Sequence, residues 1–277
     1  MERPPSPRIG MSESAPSIRG RLIDGGSDQP LQMGNLLSHK EQDELRRIAK
    51  LVEFPNPAMT IFSKGADAQF VYIVEKGVVR ITRTTANGHR RILAFMVPGD
   101  LFGLPDCGIY ANSSETVCPT TVYKFPWLKL RQLMATEPQL QLTLLTKLAH
   151  DFRQAQRQMM MLGQQSAHQR LALFLLDLMR NPGFFDDARA LLTLPVNRFD
   201  LADYLGTTRE TTTRAFARLE QEGLVKRINS HTIQVLNLNG LRGLQHWPSR
   251  QRGPRANSSQ RSRRSWSRAA DADTGLE

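Results

Sequence analysis

Cysteine is scarce: the 277 residues contain two, Cys107 and Cys118. Two thiols cannot build a disulfide framework, and a reducing cytoplasm is the expected location. Long apolar runs are missing as well. The densest run, 171–179, is broken by Asp177 and falls short of the ~18 residues that a membrane helix needs, so no membrane partner is expected. The first residues show no basic segment followed by an apolar one, and export is not expected. Histidine is thinly spread over His39, His89, His150, His168, His231 and His246, with His89 alone in the β-rich region. That spacing excludes the clustered ligands of a cupin-type metal enzyme, and neither a metal nor another cofactor is expected. No nucleophile elbow or activated Ser–His pair is present, so the chain is not read as an enzyme.

What the chain does have is positive charge. Its net charge is +11, which points to a polyanionic partner. Residues 248–277 carry +4 of this, with seven arginines between Arg250 and Arg268 among Ser, Gly, Pro and Gln. Such a composition cannot bury a core, and it reads as a disordered basic tail, either merely solvated or attracting DNA phosphate non-specifically. Residues 1–32 hold Pro, Ser and Gly without periodicity and read as a disordered leader.

Between these ends the texture changes three times. Ser38 and Glu41 have the spacing of a capping box, followed by an amphipathic helix through Leu45, Ile48, Ala49 and Val52. Over 33–137, β-branched and aromatic runs such as Phe70-Val71-Tyr72-Ile73-Val74 alternate with turns at Lys76-Gly77, Asn87-Gly88 and Pro98-Gly99-Asp100, as in a β-sandwich or barrel. Asn87-Gly88 predicts a two-residue type I′ hairpin turn. Over 138–163, Leu145, Leu148, Phe152, Ala155, Met159 and Leu162 step by three and four along a long helix. That narrow apolar seam, among polar neighbours that include Lys147 and Asp151, is read as a homodimer contact.

Residues 164–247 form the last region. Ser166 starts a helix that ends at Asn181-Pro182-Gly183, and Leu191-Leu192-Thr193-Leu194 reads as a strand. Asn197 can cap a helix over 198–205, Gly206 supplies a turn, and Thr208 can cap a second helix over 209–222, stopped by Gly223. Short strands over 224–228 and 232–236 follow. Helix, tight turn, helix and hairpin make a winged helix-turn-helix. On the second helix, at about 100° per residue, Arg209, Thr213, Glu210 and Arg214 share one face, and Thr212, Ala215, Phe216 and Leu219 the other. The polar face suits a major groove: Arg pairs with guanine N7 and O6, and Glu accepts from the cytosine amino group. Arg214, at i+4, is expected to orient Glu210. Arg198 and Thr208 complete the expected DNA-binding set.

The run Leu201-Ala202-Asp203-Tyr204-Leu205-Gly206-Thr207-Thr208-Arg209-Glu210-Thr211-Thr212-Thr213-Arg214 resembles the recognition motif of the Crp/Fnr superfamily of bacterial transcription regulators. Thr213 stands where Ser or Gly is usual. Gly65, Tyr72-Ile73-Val74, Gly77 and Gly99-Asp100-Leu101-Phe102-Gly103 are similar to its cyclic-nucleotide-binding-like β-roll. The resemblance covers about residues 36–238. It implies an α+β chain made of a β-roll, a long dimerisation helix and a C-terminal winged helix-turn-helix. Double-stranded DNA, RNA polymerase and a second copy of the chain are the implied partners.

Within that superfamily, cyclic-nucleotide binders carry Gly-Glu-Leu and then an Arg for the cyclic phosphate. Here Leu104-Pro105 follow Gly103, and no Arg or Lys lies between Arg91 and Lys124. A buried phosphate without a cation is costly, so cyclic AMP is not the expected effector. Fnr-type iron–sulfur ligation is also missing, because no cysteine precedes Cys107. The alternatives kept are haem-based sensing and redox chemistry at the candidate thiols Cys107 and Cys118. The stretch Tyr110-Ala111-Asn112-Ser113-Ser114-Glu115-Thr116-Val117 resembles the FixK branch more than the Crp branch. That branch is tied to oxygen-limited respiration and nitrogen metabolism, and many of its members bind no small molecule. The effector of this chain stays open at this stage.

Overall fold

The computed structural model describes residues 8–10, 39–88, 90–164 and 166–244. The elements follow in order as β1 (Arg8–Gly10), α1 (His39–Ile48), β2 (Lys50–Phe54), β3 (Thr60–Phe62), β4 (Phe70–Lys76), β5 (Val79–Thr84), β6 (Arg90–Met96), β7 (Leu101–Phe102), β8 (Ser113–Thr116) and β9 (Thr120–Pro126). Then come α2 (Trp127–Thr136), α3 (Pro138–Gln164), α4 (Ala167–Met179), β10 (Phe185–Asp186), β11 (Leu191–Thr193), α5 (Arg198–Tyr204), α6 (Arg209–Gln221), β12 (Val225–Arg227), β13 (Thr232–Val235) and α7 (Leu238–Gly243).

The N-terminal half is a β-roll of two sheets, ordered β1-β2-β9-β4-β7 and β3-β8-β5-β6. Val52, Phe54, Phe62, Tyr72, Val74, Phe102, Tyr110 and Val122 fill the space between them. The alternate residues Val71, Ile73, Tyr123 and Phe125 face outward, where Leu45, Leu130 and Leu140 of the three helices cover them. The first sheet is therefore apolar on both faces. This explains why β4 reads as an unbroken apolar run and not as an alternating strand. Burial of this kind stabilises by about 25 cal/mol per Å² of apolar surface.

Four expectations are corrected here. Helix α1 ends at Ile48, and Val52, expected on its apolar face, lies on strand β2 opposite Val122. Residues 8–10 lie inside the predicted leader, yet Ile9 pairs with Val52 and adds an antiparallel strand to the sheet edge. The β5–β6 hairpin forms, but its turn runs from Thr85 to Gly88, closed by the Gly88 N–H on the Thr85 carbonyl at 3.0 Å. Gly88 alone of the Asn-Gly pair has positive φ (76°). An ordinary turn over Thr85–Gly88 replaces the two-residue I′ turn. Lys147 is not on a solvated face: it is buried, paired with Asp151 and 3.6 Å from Asp100 at the turn before β7. The expected cap at Ser38, the rest of the leader and the basic tail lie outside the described residues.

The C-terminal half packs α4, α5, α6 and α7 on a four-stranded sheet ordered β10-β11-β13-β12. Strand β10 and helix α7 are additions to the sequence reading. Two kinds of contact tie this half to the β-roll. Phe95 of β6 meets Phe174 of α4 and Tyr204 of α5, with ring centroids 6.1 and 5.1 Å apart. Beside them lies a charge network. Asp200 of α5, 2% exposed, accepts from Arg80 of β5 at 2.8 Å and from Arg90 of β6 at 3.0 Å. Glu115 of β8 accepts from the same two arginines at 2.6 and 3.3 Å. Two carboxylates and two guanidiniums thus close a ring whose charges balance.

Removing one member of a buried pair leaves the other uncompensated, at a cost of about 3–5 kcal/mol. Asp200→Ala is expected to lower unfolding stability by that order. Arg91→Ala, which breaks the more exposed 3.7 Å contact to Asp203, should cost less than about 1 kcal/mol. Chemical denaturation of the two variants and wild type checks the contrast.

Candidate nucleic-acid interface

The first helix of the motif, α5, starts where the sequence places it: Asn197 Oδ1 accepts the Asp200 N–H at 2.9 Å. Leu201, Ala202 and Leu205 turn inward. Gly206 then makes the turn at φ 61°, in the left-handed region where a side chain is strained. Space is short there too, since a Cβ at Gly206 would lie 3.1 Å from Leu162 Cδ2. The Arg170 guanidinium donates to the Leu205 carbonyl and fixes the same corner.

Helix α6 starts at Thr208, whose Oγ1 accepts the Thr211 N–H at 3.2 Å. Thr212, Ala215, Phe216 and Leu219 are buried. Arg209, Glu210, Thr213 and Arg214 are exposed on the opposite face, with Thr208 beside them. The structure thus brings together five of the six expected DNA-binding residues. The sixth does not join them. The Arg198 guanidinium lies 3.7 Å from the centroid of the buried Phe216 ring. Burial lowers its pKa, and Nη1 has no hydrogen-bond partner among the described residues. Arg198 is therefore a packing group beneath α6: its long stem and flat head suit the gap over the ring.

The expected partnership of Arg214 with Glu210 is also corrected. Arg214 donates to Thr211 Oγ1 at 3.2 Å, and no ion pair joins it to Glu210 within 4.0 Å among the described residues. Glu210 is held below the ordinary carboxylate range by its own backbone N–H and the Thr208 hydroxyl, with Arg209 and Arg214 adding positive potential. Thr208, two residues before Glu210, and Thr211, three before Arg214, are the hydroxyl neighbours of these two groups. One contributor went unread in the sequence, Phe199. Phe199 is a large apolar residue off the buried stripe of α5, which is a signal available without coordinates.

On the hairpin, Arg227 of β12 donates to Glu220 of α6 at 2.7 Å, which fastens the wing to the second helix. The α3 seam lies in the open. Leu145, Leu148, Phe152, Met159 and Leu162 are 41–64% exposed, and Ala155 is exposed with them. Opposite the seam, Leu140, Thr143 and Lys147 are buried.

The β-roll interior is filled by aromatic rings. Phe62 stacks on Tyr110 at 3.9 Å, and Tyr72 lies 5.4 Å from Phe102. The Tyr110 hydroxyl donates to the Phe70 carbonyl at 2.8 Å. Gly103 sits against this stack, where a Cβ would meet Phe62 at 2.9 Å. Lys124 lies 3.7 Å over the Phe70 ring. Cys107 is exposed and Cys118 half-buried, and both are free thiols. Among the described residues no three His, Cys, Asp or Glu side chains gather as a metal site.

A β-roll, a long helix with an open apolar seam, and a winged helix-turn-helix with a polar second helix define a DNA-binding regulator. Comparison agrees. Residues 169–244 match the model of the Crp-like helix-turn-helix domain, and residues 56–137 that of the cyclic nucleotide-binding domain. The chain is 31% identical over 189 residues to the transcriptional activatory protein AadR of Rhodopseudomonas palustris, covering 68% of this chain and 79% of that protein. It is 33% identical over 185 residues to the nitrogen fixation regulation protein FixK of Azorhizobium caulinodans, covering 66% and 75%. The structure of FixK2 from Bradyrhizobium japonicum superposes with a TM-score of 0.66 at 29% identity, covering 71% of this chain and 97% of that one. The chain belongs to the Crp/Fnr superfamily of transcription regulators, on its FixK/Fnr side.

The ring-filled interior gives a direct expectation. A cyclic nucleotide would have to displace stacked rings and bury its phosphate without a cation. Calorimetry with millimolar cyclic AMP is expected to show no binding, and DNA affinity should not change on its addition.

Proposed function

We propose that the chain acts as a cytoplasmic homodimer that reads a pseudo-palindromic DNA site and activates transcription through RNA polymerase. The control of oxygen-limited respiration or nitrogen metabolism is its physiological setting. The observation that carries this reading is the exposed face of α6, where Arg209, Glu210, Thr213 and Arg214 stand together at the start of a helix fixed by its wing and its turn. Such a face places two guanidinium groups and a carboxylate where a recognition helix meets base edges. The names of the relatives, an activator and nitrogen fixation regulators, support the sense of regulation and the setting.

Dimerisation follows from the seam. An exposed row of Leu145, Leu148, Phe152, Met159 and Leu162 is the kind of apolar surface that a second copy covers. Two recognition helices related by a two-fold axis then engage half-sites about 34–36 Å apart. Glu210 selects a C·G pair, and Arg209 and Arg214 serve guanine or phosphate. The β-roll acts as a scaffold that sets the position of the reading head.

Phe152→Asp should give monomers in analytical ultracentrifugation, with loss of tight DNA binding. A wild-type monomer at micromolar concentration that still binds DNA tightly would refute the seam. In a binding-site selection, Glu210→Ala should relax one base pair in each half-site, by about 1–3 kcal/mol of lost discrimination. An unchanged motif would show that Glu210 is not a sequence reader.

A further inference from the structure

Phe199, the second residue of α5, is 64% exposed, although its neighbours Asp200, Leu201 and Ala202 are buried. Packing does not explain a large ring in this position. What covers it is Arg209, the first residue of α6, whose guanidinium carbon lies 4.6 Å from the ring centroid. Arg209 has no ion pair within 4.0 Å among the described residues. The charged side chains on the α6 face are thus held in two ways. Threonine hydroxyls meet Glu210 and Arg214, and an aromatic ring lies under Arg209.

The chemistry of that last contact matters. A guanidinium is flat, and its five N–H donors point outward in its own plane. A carboxylate or hydroxyl partner would occupy some of those donors. A ring meets the flat face instead, through its quadrupole, and leaves the edge free. Guanine O6 and N7 need that free edge, since two parallel N–H groups must reach them together. Holding the side chain in advance also reduces the conformational entropy lost on binding.

We infer that Phe199 is a positioning residue for Arg209: it fixes the guanidinium by its face so that the edge is presented to a guanine, and it thereby helps set which base pair each half-site requires. This rests on the proposed reading of DNA by α6. The partner is a G·C pair in duplex DNA, and Phe199 itself contributes no hydrogen bond to it.

The test measures affinities of the full-length protein at one salt concentration. The probes are the selected site and variants carrying each alternative base pair. The proteins are wild type, Phe199→Leu, Phe199→Tyr, Arg209→Ala and the double variant Phe199→Leu/Arg209→Ala. Arg209→Ala should remove the preference for one G·C pair. Phe199→Leu should weaken that same preference by about two- to fivefold, the size of an exposed cation–π contact. Phe199→Tyr should keep it, and the Leu change should have no effect once Arg209 is gone. The C·G preference assigned to Glu210 should survive in all four variants. A preference unchanged in Phe199→Leu overturns the inference. So does an equal loss with and without Arg209, which would make Phe199 a DNA contact in its own right. If Arg209→Ala weakens all sequences alike, Arg209 binds phosphate and the inference fails, while the Glu210 reading stands. Phe199 is exposed, so thermal unfolding of the single variants at it should match wild type.

Discussion

Asp200 is the constraint on which the architecture turns. It is a carboxylate at the third position of α5, almost fully removed from water, and it needs positive charge nearby. The charge comes from Arg80 and Arg90, about a hundred residues earlier in the chain, on strands of the β-roll. Glu115 then balances the second positive charge. The ring closes only when the winged helix lies against the second sheet of the roll. The Phe95–Phe174–Tyr204 cluster adds apolar area beside it without fixing direction. The rings contribute buried area to this contact, and the paired charges choose its orientation.

That choice matters to the site, because α5 is what α6 rests on. Asn197 caps α5, Gly206 turns the chain, Thr208 caps α6, and Arg227 holds the wing to Glu220. Each link is short and local. The positions of Arg209, Glu210 and Arg214 relative to the β-roll are therefore inherited from one buried carboxylate and its two arginines.

Much of this was legible in the sequence. The two caps, the turn glycine, the buried face of α6 and the seam of α3 all follow from periodicity and from the preferences of single residues. What escaped reading was the identity of distant partners. Periodicity says that Arg80 lies on a strand but not that Asp200, 120 residues away, accepts from it. It gives Lys147 a charged side chain on an amphipathic helix, yet Asp100 and Asp151 make it a buried one. Arg198 is a related case: its place beside the recognition helix puts it in the DNA-binding set, and only the Phe216 ring beneath it shows the side chain turning inward. The Asn87-Gly88 turn failed because pair preference fixes the turn type only when the strands end beside it, and here they end earlier.

Helix α3 can be viewed as a ruler. Its 27 residues span about 40 Å at 1.5 Å per residue. Near its start, Leu140, Thr143 and Lys147 grip the roll, and near its end Leu162 touches the corner at Gly206. Inserting one residue between these two grips would advance the far end by about 1.5 Å and rotate it by about 100°. Leu162 would then point away from the corner, and the seam would lose its straight line. Both the phase and the length of this helix are therefore fixed at its two ends, since even a whole-turn insertion would carry Leu162 about 5.4 Å from the corner.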